Sequence, residues 1–107
     1  MGWILNNAPE RLLVTLSVPN LDASLSNRFR NEIAPLLAGD IPIVIDFTLI
    51  KFVDSSGIGA LCSLVEKTTP AYLRFTGVSE RVSKALSRIP LLSPFWMPRP
   101  MLAVCTA

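Results

Sequence analysis

The chain has 107 residues, half of them apolar and 17% charged, which excludes a disordered chain and leaves room for one hydrophobic core rather than two. Its net charge of +2 comes from Lys and Arg scattered along the chain, with no basic stripe to track a phosphate backbone, so nucleic acid is not an expected partner. Histidine is absent, which removes the usual general base, the usual zinc ligand and every Ser-His or Cys-His nucleophile pair.

Residues 1–9 carry neither the basic start nor the apolar stretch of a signal peptide. No segment reaches the roughly 18 apolar residues that span a bilayer, so a soluble cytoplasmic protein without membrane insertion is expected. Trp3 to Asn6 offers a short strand. Arg11 to Val18 mixes apolar and β-branched residues and stops at Pro19-Asn20, the pattern of a strand ending in a turn. Leu25, Phe29, Ile33, Leu36 and Leu37 then form one stripe at helical spacing. Asp22 is placed to cap that helix, and Pro35 should distort its last turn.

Ile41 to Phe47 is short, β-branched and nearly continuously apolar, as befits a central strand covered on both faces. After a linker through Lys51, the residues Ile58, Leu61, Cys62 and Val65 repeat at helical spacing behind Asp54-Ser55-Ser56, whose short oxygen-bearing side chains suit a helix start. A second helix over about 55–68 follows. Pro70 breaks the chain, and Ala71 to Thr76 reads as another strand. Ser79 caps a third helix with Val82, Leu86 and Ile89 on its inner face, and Pro90 ends it. The tail places Phe95-Trp96-Met97 and Met101 to Val104 among prolines, enough for an edge strand or irregular apolar chain. It could serve as core, as a homodimer surface or as a patch against a larger complex. Cys62 and Cys105 lack the spacing of a metal or redox pair and read as small buried side chains. The alternation of elements predicts an α/β fold, a mixed four- to five-stranded sheet with helices packed against it and right-handed crossovers.

The segment from Ile43 to Gly59 carries the functional signal. A strand ends in Asp46-Phe47-Thr48, followed by Phe52-Val53-Asp54-Ser55-Ser56-Gly57 and a second glycine, Gly59. In residue type and spacing this resembles the signature of STAS domains of the anti-sigma factor antagonist type. The order of elements on either side fits as well, so the resemblance implies a single STAS domain over residues 1–107. It further implies a protein-binding module rather than an enzyme. Such a module binds an anti-sigma factor that is itself a serine protein kinase, is phosphorylated by it on Ser55 and is thereby released. A serine phosphatase of the PP2C type resets it. Ser56 is the alternative acceptor. The partner-binding surface implied is Asp54, Ser55, Ser56, Gly57, Ile58 and Gly59, joined by Asp22, although Asn20 stands where the family has glycine in the step before that aspartate.

The residues themselves bear on this. A phosphate on Ser55 would add about −1.5 to −2 charges at a helix N-terminus, where the dipole and free amides favour an anion, so the fold should tolerate it. Against a surface built for a neutral hydroxyl, roughly 3 kcal/mol of repulsion and lost desolvation changes affinity about a hundredfold. Gly57 and Gly59 each cost about 1 kcal/mol in a helix relative to Ala. Either the approach of a partner backbone or tight packing of the helix on its own sheet would account for them. Asp54, Asp22 and Asp46 each have a plain reading as caps of a helix or turn. An enzyme with Ser55 as nucleophile would need Lys51, Lys67 or a carboxylate as base. No GxxxxGK loop is present for a nucleotide, and no metal or cofactor is expected. The remaining alternative is a STAS scaffold subunit of a stress or lipid-transport assembly that binds without phosphorylation.

Overall fold

The computed structural model describes residues 3–8 and 10–96. The chain runs through β1 (Trp3–Asn7), β2 (Leu12–Leu16), β3 (Asn20–Leu21), α1 (Ala23–Ile33), β4 (Ile43–Asp46), β5 (Phe52–Val53), α2 (Ser55–Val65), β6 (Leu73–Thr76), α3 (Glu80–Leu86) and α4 (Ser93–Trp96), with 3-10 turns at Ala34–Ala38 and Pro90–Leu92. Four strands form a mixed sheet in the order β1-β2-β4-β6, in which β1 is antiparallel to β2 and the other pairs are parallel. β3 and β5 form a separate parallel pair. The α/β class and the mixed sheet agree with the sequence-based expectation.

Alternating side chains along the strands send Leu12, Val14 and Leu16, Ile43 and Ile45, and Leu73 and Phe75 to one face. Register aligns them in rows, Val14 beside Ile45 beside Phe75. Phe29 and Ile33 of α1, Leu61, Leu64 and Val65 of α2, Val82 and Leu86 of α3, and Leu92 and Phe95 near the end complete one buried cluster with that face. Trp3 meets Phe29 edge-on with ring centres 5.4 Å apart, and Phe75 lies between Phe47 at 5.3 Å and Phe95 at 6.3 Å.

Several expectations shift by a turn. Pro35 ends α1 at Ile33 and converts the following residues to a 3-10 turn, because its ring removes the amide hydrogen the α-helix would use. α2 stops at Val65 rather than Thr68: the Lys67 and Thr68 amides donate to Leu64 and Val65, three residues back, so the last turn tightens. α3 ends at Leu86, leaving the half-buried Ile89 beyond it, and Pro90 opens a 3-10 turn. The central strand β4 is covered on one face among the described residues. Leu13, Val44 and Arg74, in register on the other, are only half-buried. Phe95 and Trp96 belong to a short helix rather than a strand, and Leu92 and Phe95 are core. Met97, Met101 to Val104 and Cys105 lie outside the described residues.

Candidate functional site

The site is organised by the small β3–β5 pair. Its parallel register sets Asn20 beside Phe52 and Leu21 beside Val53. The next residue on each strand is an aspartate that caps a helix, Asp22 for α1 and Asp54 for α2. Asp22 accepts the Ser24 amide at 3.0 Å and also the Ser24 hydroxyl. Asp54 accepts the Gly57 amide at 2.9 Å, while its own amide donates to the Leu21 carbonyl at 3.3 Å. Two helix N-termini therefore open side by side, each already holding one carboxylate where the helix dipole favours negative charge.

Ser55 and Ser56 are the first two residues of α2, and both are exposed. Their amides belong to the donors that a helix start leaves without intrahelical partners. An exposed hydroxyl in that setting can take up a phosphoryl group whose oxygens then face free amides.

The two glycines that follow separate cleanly. Gly57 is buried, and a Cβ there would meet the Leu21 carbonyl oxygen and come within 2.7 Å of Val53 Cγ1. Its hydrogen side chain is what lets α2 close on the β3–β5 pair. Gly59 is exposed, and a Cβ there would meet nothing within 4 Å. Ile58 between them is half-buried and packs on the core. Of the residues read as a partner surface, Asp54, Ser55, Ser56 and Gly59 thus present themselves together, with Asp22 on the adjoining cap. Gly57 and Ile58 serve the fold beneath them.

Asp46 stands apart from this group. It accepts the Thr48 amide at 2.9 Å and the Thr48 hydroxyl, and Gly77, at φ 68°, seats against that turn where a Cβ would approach Asp46 Oδ1 to 2.6 Å. This is the turn-capping role.

Beside the residues read as a partner surface, Ala23, Ser26, Asn27, Arg30, Ala60 and Leu49 drew no functional reading from the sequence. A cleft of about 370 Å³ runs between the two helices, lined by Ala23, Ser26, Asn27 and Arg30 of α1 and by Ser56, Gly59 and Ala60 of α2. Arg30 is half-buried there. Phe52 and Leu49 are half-exposed, at 50% and 54%, in the segment leading to Ser55. Phe52 belongs to the motif that carries the resemblance, but the sequence reading gave it no place on the partner surface. Cys62 is half-buried rather than buried, since it sits on the flank of α2 and not on its inner stripe. Burial, helped by the charge of Glu66, pushes its thiol up. Among the described residues there is no group of three or more His, Cys, Asp or Glu that could hold a metal, and no helix is long and apolar enough to cross a membrane.

The model of the STAS domain matches residues 4–99 of the chain. Among solved structures, the fold is similar to an anti-sigma-factor antagonist (STAS) domain protein from Planctomyces limnophilus, with TM-score 0.73 and 13% identity over 98% of this chain and 97% of that one. It is also similar to the anti-sigma factor antagonist SpoIIAA in its unphosphorylated form (TM-score 0.69, 21% identity, 97% and 94% of the two chains). The Bacillus SpoIIAA in the phosphorylated form gives 0.65 and 20% over 98% and 99%. No curated protein matches the sequence significantly. The family match spans almost all the described residues and agrees with the motif at the start of α2, and the chain belongs to the STAS domain family.

Proposed function

We propose that the chain is an anti-sigma factor antagonist: it binds a serine-kinase anti-sigma factor in the cytoplasm, and phosphorylation of Ser55 by that kinase releases it. The observation that carries this reading is the exposed Ser55 at the first position of α2, directly after the Asp54 cap. The matched SpoIIAA structures, described as unphosphorylated and phosphorylated forms of one antagonist, support it by fold. In this reading the protein is a binding module and not an enzyme. Both serines are exposed, and Ser55 is favoured over Ser56 by its position in the motif that carries the family resemblance. A PP2C-type phosphatase would restore the binding form.

The physical step is electrostatic. Phosphate brings about −1.5 to −2 charges to a corner that already holds Asp54 and Asp22, and a kinase surface complementary to the neutral hydroxyl is then repelled. The test is calorimetry with a serine-kinase anti-sigma factor from the same genome. The unmodified chain and Ser55→Ala should bind, while Ser55→Asp should bind at least tenfold more weakly. With ATP, the chain should gain one phosphate, which Ser55→Ala loses and Ser56→Ala keeps. Equal binding by all three forms would instead make the chain a constitutive scaffold with Ser55 as an ordinary helix-start residue.

A further inference from the structure

The cleft between α1 and α2 contains two features that the fold does not explain. The first is Gly59. A glycine inside a helix is unfavourable relative to alanine, and Gly57 repays that by the close approach of Leu21 and Val53, whereas Gly59 faces open space. The second is Arg30. Its guanidinium has no ion pair or hydrogen bond among the described residues, in contrast to Arg28, two residues earlier on another face of α1, which pairs with Glu32 at 2.8 Å. Among the described residues, Arg30 is the only charged residue lining the cleft. Its other walls are Ala23, Ser26, Asn27, Ser56, Gly59 and Ala60.

We propose that this cleft receives an acidic side chain of the partner, its carboxylate against Arg30 and its stem over Gly59, as the element that selects the partner. The inference rests on the reading of the chain as a partner-binding module. The walls fit the chemistry. Arg presents planar donors matched to a carboxylate. Asn27 and Ser56 add polar groups along the path, and the missing side chain at Gly59 gives the incoming stem its room. The buried floor of Ser26 and Ala60, each 5% exposed, is already formed, so seating the side chain requires no rearrangement of the helices. The cleft also adjoins the switch: Ser56, a wall of the cleft, is the neighbour of Ser55. A phosphate on Ser55 would therefore set negative charge near the mouth through which the carboxylate must enter, and like charges oppose that entry.

The test uses the kinase that binds the unmodified chain, with Gly59→Leu, Arg30→Glu and Arg30→Lys compared by calorimetry. Thermal unfolding is recorded in parallel to show that each variant folds. Gly59→Leu, whose Cβ has open space around it and whose side chain takes up room in the cleft, should weaken binding at least tenfold while the chain still unfolds cooperatively near the parent's temperature. Arg30→Glu should do the same, and Arg30→Lys should lose less than Arg30→Glu. Reversing the partner's acidic residue to Arg should restore binding to Arg30→Glu. If Gly59→Leu and Arg30→Glu bind as tightly as the parent while Ser55→Asp does not, the cleft inference is overturned and the phosphorylation switch stands. A parent chain that no such kinase binds overturns both.

Discussion

Gly57 lies against the backbone of Leu21, so close that the carbonyl oxygen of Leu21 occupies the place of a side chain at position 57. This contact joins the helix carrying Ser55 to the strand carrying Asp22. It explains why the two caps hold a fixed relation: β3 and β5 pair in register, and α2 is drawn onto them one turn later.

Gly57→Ala should therefore destabilise the chain. A Cβ would push against backbone, which yields little, and overpacking of this kind costs about 1–3 kcal/mol. That exceeds the helix-propensity gain of about 1 kcal/mol. Urea unfolding should show a lower midpoint with an unchanged slope; a midpoint at or above the parent's would mean that the β3–β5 pair gives way easily.

Gly59→Ala should have the opposite sign. With open space on that side, the alanine keeps its propensity advantage of about 1 kcal/mol and meets nothing. Chemical denaturation of the two alanine variants side by side is the sharpest comparison, because they differ by half a helical turn and should shift the midpoint in opposite directions.

This division between the glycines was not legible in the sequence, where both stand in the same first turns of one helix and either packing or a partner would account for them. The longer elements were legible: the strand read from the β-branched and apolar mix over Arg11 to Val18 holds Leu12, Val14 and Leu16 in the core, and the helical stripe through Phe29 and Ile33 reappears as buried residues. Asp22, Asp54 and Ser79 each do cap the helix their chemistry suggested. The β3–β5 pair escaped because two residues cannot display a period. Arg30 escaped because its role depends on which helix face meets α2, a tertiary fact. The site's order thus comes from a contact between residues 21 and 53, far apart in the chain, that no local pattern announces.

Asp54→Ala should cost about 1 kcal/mol through loss of the bond to the Gly57 amide, and Asp54→Asn should recover most of it, since an amide oxygen caps nearly as well. Thermal unfolding of both variants checks this. A pair that fell equally would show that the charge of Asp54 at the helix start, and not its hydrogen bond, does the stabilising.

Cys62 should be a slow thiol. Burial and then the charge of Glu66 raise its pKa, and the thiolate is the reactive form. In a Cys105→Ser background, alkylation by iodoacetamide near pH 8 should run slower in the folded chain than in urea, with the rate profile displaced to higher pH. The sign for stability follows. Below the pKa of the unfolded thiol, both states are protonated and the folded chain is unpenalised. As pH climbs toward the folded value, the unfolded thiol ionises first, and stability falls. A folded-state profile coincident with the denatured one would show that Cys62 is as solvated as a free thiol.

Phosphorylation of Ser55 should separate binding from folding. The phosphate would sit at the start of α2, where the helix dipole and the free first-turn amides favour an anion, while Asp54 and Asp22 beside it oppose one. These effects act against each other within the folded chain, so the phosphorylated form should unfold within a few degrees of the unmodified one. Across the interface no such compensation exists, and affinity for the kinase should fall about a hundredfold, which corresponds to roughly 3 kcal/mol. Raising the salt concentration screens exposed charges over about 10 Å at 0.1 M and over about 3 Å at 1 M. The affinity gap between the two forms should therefore narrow between those concentrations, as measured by titration calorimetry. A gap that stayed constant would assign the release to lost shape complementarity at Ser55 instead of charge.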